Sequence, residues 1–242
     1  MFDRQAFEKD RAVKRKKQHE DPQLQQQALS FFETADKGDY AYQWDWLGLP
    51  IIQTPEDVVA VQEIIWKNKP DVIVETGIAW GGSIVFYASL CALLGGGKVV
   101  AVDKVLPQKN RDAIMGYPFS DRIHLFEGSS TDRSVFEAMS SKIRPGDKVM
   151  VLLDSNHTHD HVYEEMKLWG PLVTKGQYLV VSDTIVEKIA PQTHRPRPWG
   201  IGNNPQTAVD AYLKENSSFS LDNPYHHKAL FSCTKGGYLL RI

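Results

Sequence analysis

A chain of 242 residues, 42% hydrophobic and 24% charged, suits one α/β domain with room for a small helical addition. A formal net charge of −2 lacks the basic excess of a nucleic-acid binder, and no apolar run approaches the roughly 18 residues of a membrane span. Cys91 and Cys233 stand in unrelated contexts and read as reduced structural residues; with no apolar signal core near the N-terminus, the expected location is cytoplasmic.

Residues 1–50 read as an N-terminal helical extension with an aromatic segment, and 51–242 as the main domain. The stretch up to about Gln27 is polar, with a basic cluster at Lys14, Arg15, Lys16 and Lys17, the pattern of a solvated helix or arm. Tyr40, Tyr42, Trp44 and Trp46 follow, rings that either pack or roof an acceptor pocket. Thr54-Pro55-Glu56-Asp57 reads as an N-cap, a first-turn proline and acids at the positive end of a helix dipole. That helix is expected to turn Val58, Val59, Val61, Ile64, Ile65 and Trp66 toward a core.

From Asp71 short apolar runs alternate with helical patterns, which predicts parallel βαβ units. Strands are expected at Val72–Thr76, Lys98–Asp103, Arg122–Phe126, Lys148–Asp154 and Tyr178–Asp183, several of them continuous aliphatic runs suited to burial on both faces. Two more, near Ser218–Asp222 and Gly237–Ile242, suggest an antiparallel C-terminal edge. The expected fold is α/β: a Rossmann-like, doubly wound, mostly parallel seven-stranded sheet.

In such a sheet ligands bind beyond the carboxyl ends of the strands. The first strand there feeds Glu75-Thr-Gly77-Ile-Ala-Trp-Gly81-Gly-Ser83, whose glycines permit a sharp turn and a close backbone approach. Gly77 and Gly81 are separated by three residues, which departs from the dinucleotide fingerprint and argues against NAD. Asp103 closes the next strand, where an acid commonly accepts hydrogen bonds from ribose hydroxyls. Glu127-Gly-Ser129-Ser130, after the third strand, offers small polar groups for an adenine or simply a turn and helix cap.

Asp154 and Asp183 end two strands of like construction. Adjacent parallel strands lie about 4.8 Å apart, so such acids can share one hard cation such as Mg²⁺. That ion would lower the pKa of an acceptor hydroxyl and orient it. His157, His159 and His161 form an H-x-H-x-H run. It contains no H-x-D or H-x-E pair of an iron facial triad and reads better as the start of a helix, where residues two apart diverge. The loop from His194 to Pro205, with Arg195, Arg197 and Trp199, reads as a cover for the acceptor or as an irregular surface connection.

Several segments together resemble the rhamnosyl O-methyltransferase and cephalosporin hydroxylase-related family over Tyr42–Ile242: Trp46-Leu-Gly-Leu-Pro50, Val74-Glu-Thr-Gly77, Gly81-Gly-Ser83, Glu127-Gly-Ser-Ser-Thr-Asp132, Leu153-Asp-Ser-Asn-His157, Pro171-Leu-Val-Thr174 and Gly236-Gly-Tyr238-Leu. The resemblance implies a class I methyltransferase fold, S-adenosylmethionine at Glu75, Gly77, Ser83 and Asp103, and a divalent ion near the acceptor. With Gly81, Ser129, Ser130 and Asp154 these make the expected cofactor set. The family's fifth strand ends in two adjacent acids, whereas this chain has Ser182-Asp183, so the expected metal set is Asp154, Asp183 and Ser182, with weakened affinity. Of the three histidines only His157 matches the family motif; with Asp154 it is the expected catalytic pair, as general base or acceptor contact, while His159 and His161 are expected at the surface or in packing. The implied activity is O-methylation of a sugar or small natural product, by an enzyme that associates with itself as related enzymes do, with no nucleic-acid or membrane partner. The alternatives are a small-molecule hydroxylase or oxidoreductase, named in the family, and a non-catalytic nucleotide-binding member.

Overall fold

The computed structural model describes residues 2–242. Two polar helices, α1 (Arg4–Glu20) and α2 (Pro22–Asp36), precede a minimal hairpin of β1 (Asp45–Trp46) and β2 (Leu49–Pro50). The remaining elements alternate: α3 (Pro55–Asn68), β3 (Val72–Thr76), α4 (Gly82–Leu93), β4 (Lys98–Asp103), α5 (Gln108–Met115), β5 (Ile123–Glu127), α6 (Arg133–Ser140), β6 (Val149–Leu153) and α7 (His159–Trp169). The chain closes with β7 (Tyr178–Val181), α8 (Pro205–Glu215), β8 (Phe219–Leu221), α9 (Asn223–Lys228) and β9 (Tyr238–Arg241).

The main sheet runs β5-β4-β3-β6-β7-β9-β8, with β5 to β7 parallel and both pairings of β9 antiparallel. Every residue of β3, β6 and β7 is buried, because side chains alternate between two covered faces. On one face Ile73, Val99 and Met150 pack against Ile64 of α3, Ile84 of α4 and Ile114 of α5. On the other, Val74, Val100 and Val151 meet Met139 of α6, Met166 of α7 and Val209 of α8. Strand order reverses between β3 and β6, which opens the crevice for a ligand there.

The seven expected strands are present with their ends shifted by at most two residues. β7 stops at Val181 because Asp183 adopts a left-handed backbone (φ 55°), although Ser182 N–H still donates to Leu153 O at 3.0 Å. The C-terminal pair is antiparallel as expected, but β9 inserts between β7 and β8 and leaves β8 at the edge. In α3 the expectation holds for Val61, Ile64 and Ile65 and fails for Val59 and Trp66, which are 54% and 51% exposed. These two are seven residues apart, share the outer face of the helix and point away from the sheet.

Thr54 caps α3 with Pro55 in its first turn, as read from the sequence. Asp57 does more than complement the dipole. It is buried and accepts from Ser232 Oγ (2.5 Å), Cys233 N–H (2.7 Å) and Tyr238 OH (2.8 Å), which fastens the loop before β9 to α3. Cys91 and Cys233 are free thiols. Among the described residues no helix is long and apolar enough to cross a membrane.

Candidate functional site

The turn after β3 is shaped by close approach. Gly77 has φ 98°, and a Cβ there would overlap the carbonyl oxygen of Asp154 at the end of β6. Gly81 (φ 91°) faces the Ile114 side chain, which a Cβ there would crowd, so its role is packing the start of α4 on α5. Asp103 stands at the end of β4 as expected and accepts from the backbone N–H groups of Ile78 (2.8 Å) and Ala79 (2.9 Å). Its second oxygen accepts from Val105 N–H at 3.2 Å. This carboxylate therefore holds the turn in its sharp form, with Ala79 itself left-handed at φ 46°.

Glu75 lies beneath that turn, fully buried, and accepts from Ser83 Oγ (2.7 Å) and Tyr87 OH (2.9 Å). Burial pushes its carboxyl up to about 8, against the opposing pull of those two hydrogen bonds. Glu75 thus ties β3 to α4, while Ser83 also lines the cavity described below. Tyr87, which sequence reading missed, completes this buried link. Between pH 4.5 and about 8 the folded chain keeps a proton that the unfolded chain has released. Stability should fall as pH rises through that window, by up to roughly 1.4 kcal/mol per unit from this group. Glu75→Gln should remove that component. Denaturant melts of both proteins at pH 5.5 and pH 8 check it, and parallel losses in the two would refute it.

At the ends of β6 and β7 three side chains converge. His157 Nε2 is 3.2 Å from Asp183 Oδ2 and 4.0 Å from Asp154 Oδ1. One ligand atom from each of Asp154, His157 and Asp183 lies within 4.8 Å of the others, the only such cluster among the described residues. The Asp154 carboxyl is held well above the usual carboxylate range, first by burial and then by the Asp183 charge. A cation between them would relieve both. Pairing of Leu153 with Val181 puts Ser182 in register with Asp154. Yet Ser182 is buried and does not line the cavity, while the left-handed turn brings in Asp183. The third member of the group is His157 rather than Ser182.

These residues open into a cavity of about 270 Å³ whose far walls are built by Tyr40 and Tyr42 from the aromatic segment and Trp199 from the long loop. Trp199 meets the His157 ring edge-on at 4.8 Å. Arg195 is not free for an anion: it pairs with Asp36 (2.5 Å) and Asp39, and its guanidinium lies over Tyr42. Gln192 donates to Asp36 (2.7 Å) and Ala190 N–H to Glu33 (2.8 Å), so α2 latches the loop down. Arg197 remains exposed and donates to Tyr42 OH at 3.2 Å. Asp36 and Gln192 carried no sequence signal, because their partners are about 156 positions away.

Ser129 and Ser130 do not line the cavity. Ser129 Oγ pairs with Thr131 Oγ1 at 3.0 Å, and buried Ser130 meets His161 Nε2 at 3.1 Å. His159 packs on α8 through Thr207 (2.8 Å), as expected for a packing residue. His161 is instead a polar junction between two loops.

Residues 38–242 match the rhamnosyl O-methyltransferase/CmcI family. A rhamnosyl O-methyltransferase of Mycobacterium tuberculosis is 31% identical over 204 residues, covering 81% of this chain and 77% of its own. One from Mycobacterium leprae is 31% identical over 200 residues, covering 81% and 82%. Among solved structures, ligand-free CmcI superposes with a TM-score of 0.61 at 21% identity over 83% of this chain and 77% of that one. CmcI with Mg and SAM gives 0.58 at 21% over the same shares, and a Bacillus cereus O-methyltransferase with SAH gives 0.51 at 15% over 83% and 82%. The chain belongs to the rhamnosyl O-methyltransferase/CmcI family.

Proposed function

We propose that this protein is an S-adenosylmethionine-dependent O-methyltransferase acting on a hydroxyl of a sugar or glycosylated natural product, assisted by a divalent ion. The observation that carries the reading is convergence. The turn Gly77–Ala79, capped by Asp103, and the Asp154–His157–Asp183 cluster flank one cavity at the switch in strand order.

The donor set fits a divalent cation. Two carboxylates supply charge, and the imidazole makes the site more hospitable to Mn²⁺ than an all-oxygen set would be. When bound, the ion would lower the pKa of the acceptor hydroxyl and fix it toward the methyl donor. The chain's own residues position: Asp154 and Asp183 orient the acceptor end, and Asp103 holds the cofactor turn. His157, expected as a base, faces Asp183, which favours a ligand role. Trp199 covers His157 and excludes water, while Tyr40 and Tyr42 present faces and edges suited to sugar C–H groups. Residues 1–50 are thus an extension that completes the acceptor wall. The names of the mycobacterial relatives support a sugar acceptor. The hydroxylase reading fits less well, since an iron facial triad takes two histidines and one carboxylate, the reverse of the ratio here.

Calorimetry with S-adenosylmethionine, S-adenosylhomocysteine and NAD tests the cofactor assignment. The first two should bind and NAD should not. Asp103→Ala should weaken cofactor binding by roughly 1.5–3 kcal/mol, since a charged acceptor is lost and the turn released. Tight NAD binding, or unchanged affinity in the variant, would overturn the assignment. An acceptor screen with methyl-labelled cofactor then separates an active enzyme from a non-catalytic binder.

A further inference from the structure

The first helix, α1, has no buried residue and rests on α9. Its last turn makes the contact through His19. That ring stacks on His227, with centroids 4.3 Å and planes 23° apart, and meets His226 edge-on at 4.8 Å. One hydrogen bond crosses the same seam, from Gln18 Nε2 to Lys228 O at 3.2 Å. α2 is fastened separately: Phe32 packs with Ile185 and Ile189, while Glu33 and Asp36 hold the loop before α8. None of the three histidines lines the cavity beside Asp154. α9 leads into Phe231 and Cys233, which do, so α1 braces that wall from behind.

Three imidazoles in contact are compatible with one another only while they are neutral. The Nδ1 atoms of His19 and His226 are buried and have no hydrogen-bond partner. A charged ring carries an N–H on both nitrogens, so protonation would put an unpaired donor at each of these sites. Charge adds to the conflict. Lys188 and Lys235 face the cluster, and Lys235 is buried with its Nζ on the neutral Gln25 Oε1 of α2. Burial first, and then the neighbouring imidazoles and lysines, push His226 down to about 4 and lower His19 from its ordinary 6.5 as well. The acids around the seam are engaged elsewhere. Glu63 of α3 pairs with Lys228, and Glu56 accepts from the backbone N–H groups of Leu230 (2.9 Å) and Phe231 (2.5 Å). Asp21 caps α2. Glu20 favours a proton on His19 but faces Lys16 at 3.6 Å, and Arg15 on the same helix faces Tyr225 of α9.

We propose that His19, His226 and His227 form a pH-operated clasp. Neutral rings hold α1 on α9, and protonation in mildly acidic solution releases α1 while α2 and the sheet keep their places. The sign follows from the two lowered groups. The docked form keeps them neutral, whereas the released form takes up protons as pH drops below 6.5. Docking is therefore strongest above 6.5 and is lost as pH falls toward about 4, by up to about tenfold per pH unit from His226 alone.

The test is hydrogen exchange of the full chain at pH 7.5 and pH 5.5, read by peptide and corrected for the intrinsic pH dependence of exchange. Protection of α1 should fall by about tenfold or more at the lower pH, while α2 and the strands should change by less than about twofold. The double variant His19→Phe with His226→Phe keeps the packed rings and cannot take up the protons, so its α1 should stay protected at both values. His19→Gln, at a partly buried position, is the gentler change. It should reduce the fall by a smaller factor and decides the question if the double variant does not fold. Equal protection of α1 at the two pH values in the unsubstituted chain, or no protection at either, would overturn the proposal. So would a fall that persists undiminished in the variants. Loss of α1 and α2 together would overturn it as well, since it marks unfolding of the whole extension rather than release at the histidines.

Discussion

Asp154→Asn should abolish divalent-metal binding and bring methyl transfer to background. Asp154 directly follows β6, half-buried beside Asp183, with its Oδ1 4.0 Å from His157 Nε2. Its replacement removes one of two charges that hold the ion and leaves a neutral amide that ligates more weakly. The size of the effect follows from the small donor set, in which three side chains supply all the charge and nitrogen. Manganese should bind more tightly than magnesium, because an imidazole favours the later metal. His157→Gln should lower manganese affinity more than magnesium affinity, which a lost general base would not do. Titration of each ion into exhaustively chelated protein measures affinity, and methyl transfer under the same conditions measures activity. Full activity in the chelated enzyme would show that Asp154 works without a metal.

The parallel half of the sheet was legible because its strands are buried on both faces and leave continuous aliphatic runs such as Val72–Val74 and Val149–Leu153. The place of β9 was not, since insertion between β7 and β8 is decided by long-range pairing that no local pattern encodes. The acids Asp103, Asp154 and Asp183 were legible as strand-end residues. Their partners were less so. Register pairs Ser182 with Asp154, but one left-handed residue at Asp183 and a helix start at His159 change which side chains meet. His161 looked like surface or packing because its two serine partners lie 31 and 6 residues away. The aromatic segment was read with two outcomes, packing or roofing a pocket. The structure places Tyr40 and Tyr42 on the cavity wall and packs Trp46 onto Phe86.

Gly77→Ala should be the most damaging single methyl group that can be added to this chain near the site. Two costs combine there. The backbone at φ 98° is one that L-residues rarely adopt, and a Cβ would overlap the Asp154 carbonyl group, which is backbone and cannot rotate aside. Gly95 separates the two: it also has positive φ (74°) but nothing lies within 4 Å of its Cβ position. Gly95→Ala should therefore cost only about 1 kcal/mol, the conformational penalty by itself. Gly77→Ala carries the same penalty plus the separation of β3 from β6, which are in register from Val72 with Val149 to Thr76 with Leu153. A loss of roughly 4 kcal/mol or more is expected, a large share of the 5–15 kcal/mol that folds a typical domain. Because the clash falls on Asp154, the surviving folded fraction should also bind metal poorly, whereas Gly95→Ala should bind it normally. Urea melts of both variants, paired with metal titration below their transitions, decide the matter. Equal stability losses in the two would mean that the β3–β6 contact yields easily, and that the close approach at Gly77 does not hold the two halves of the site together.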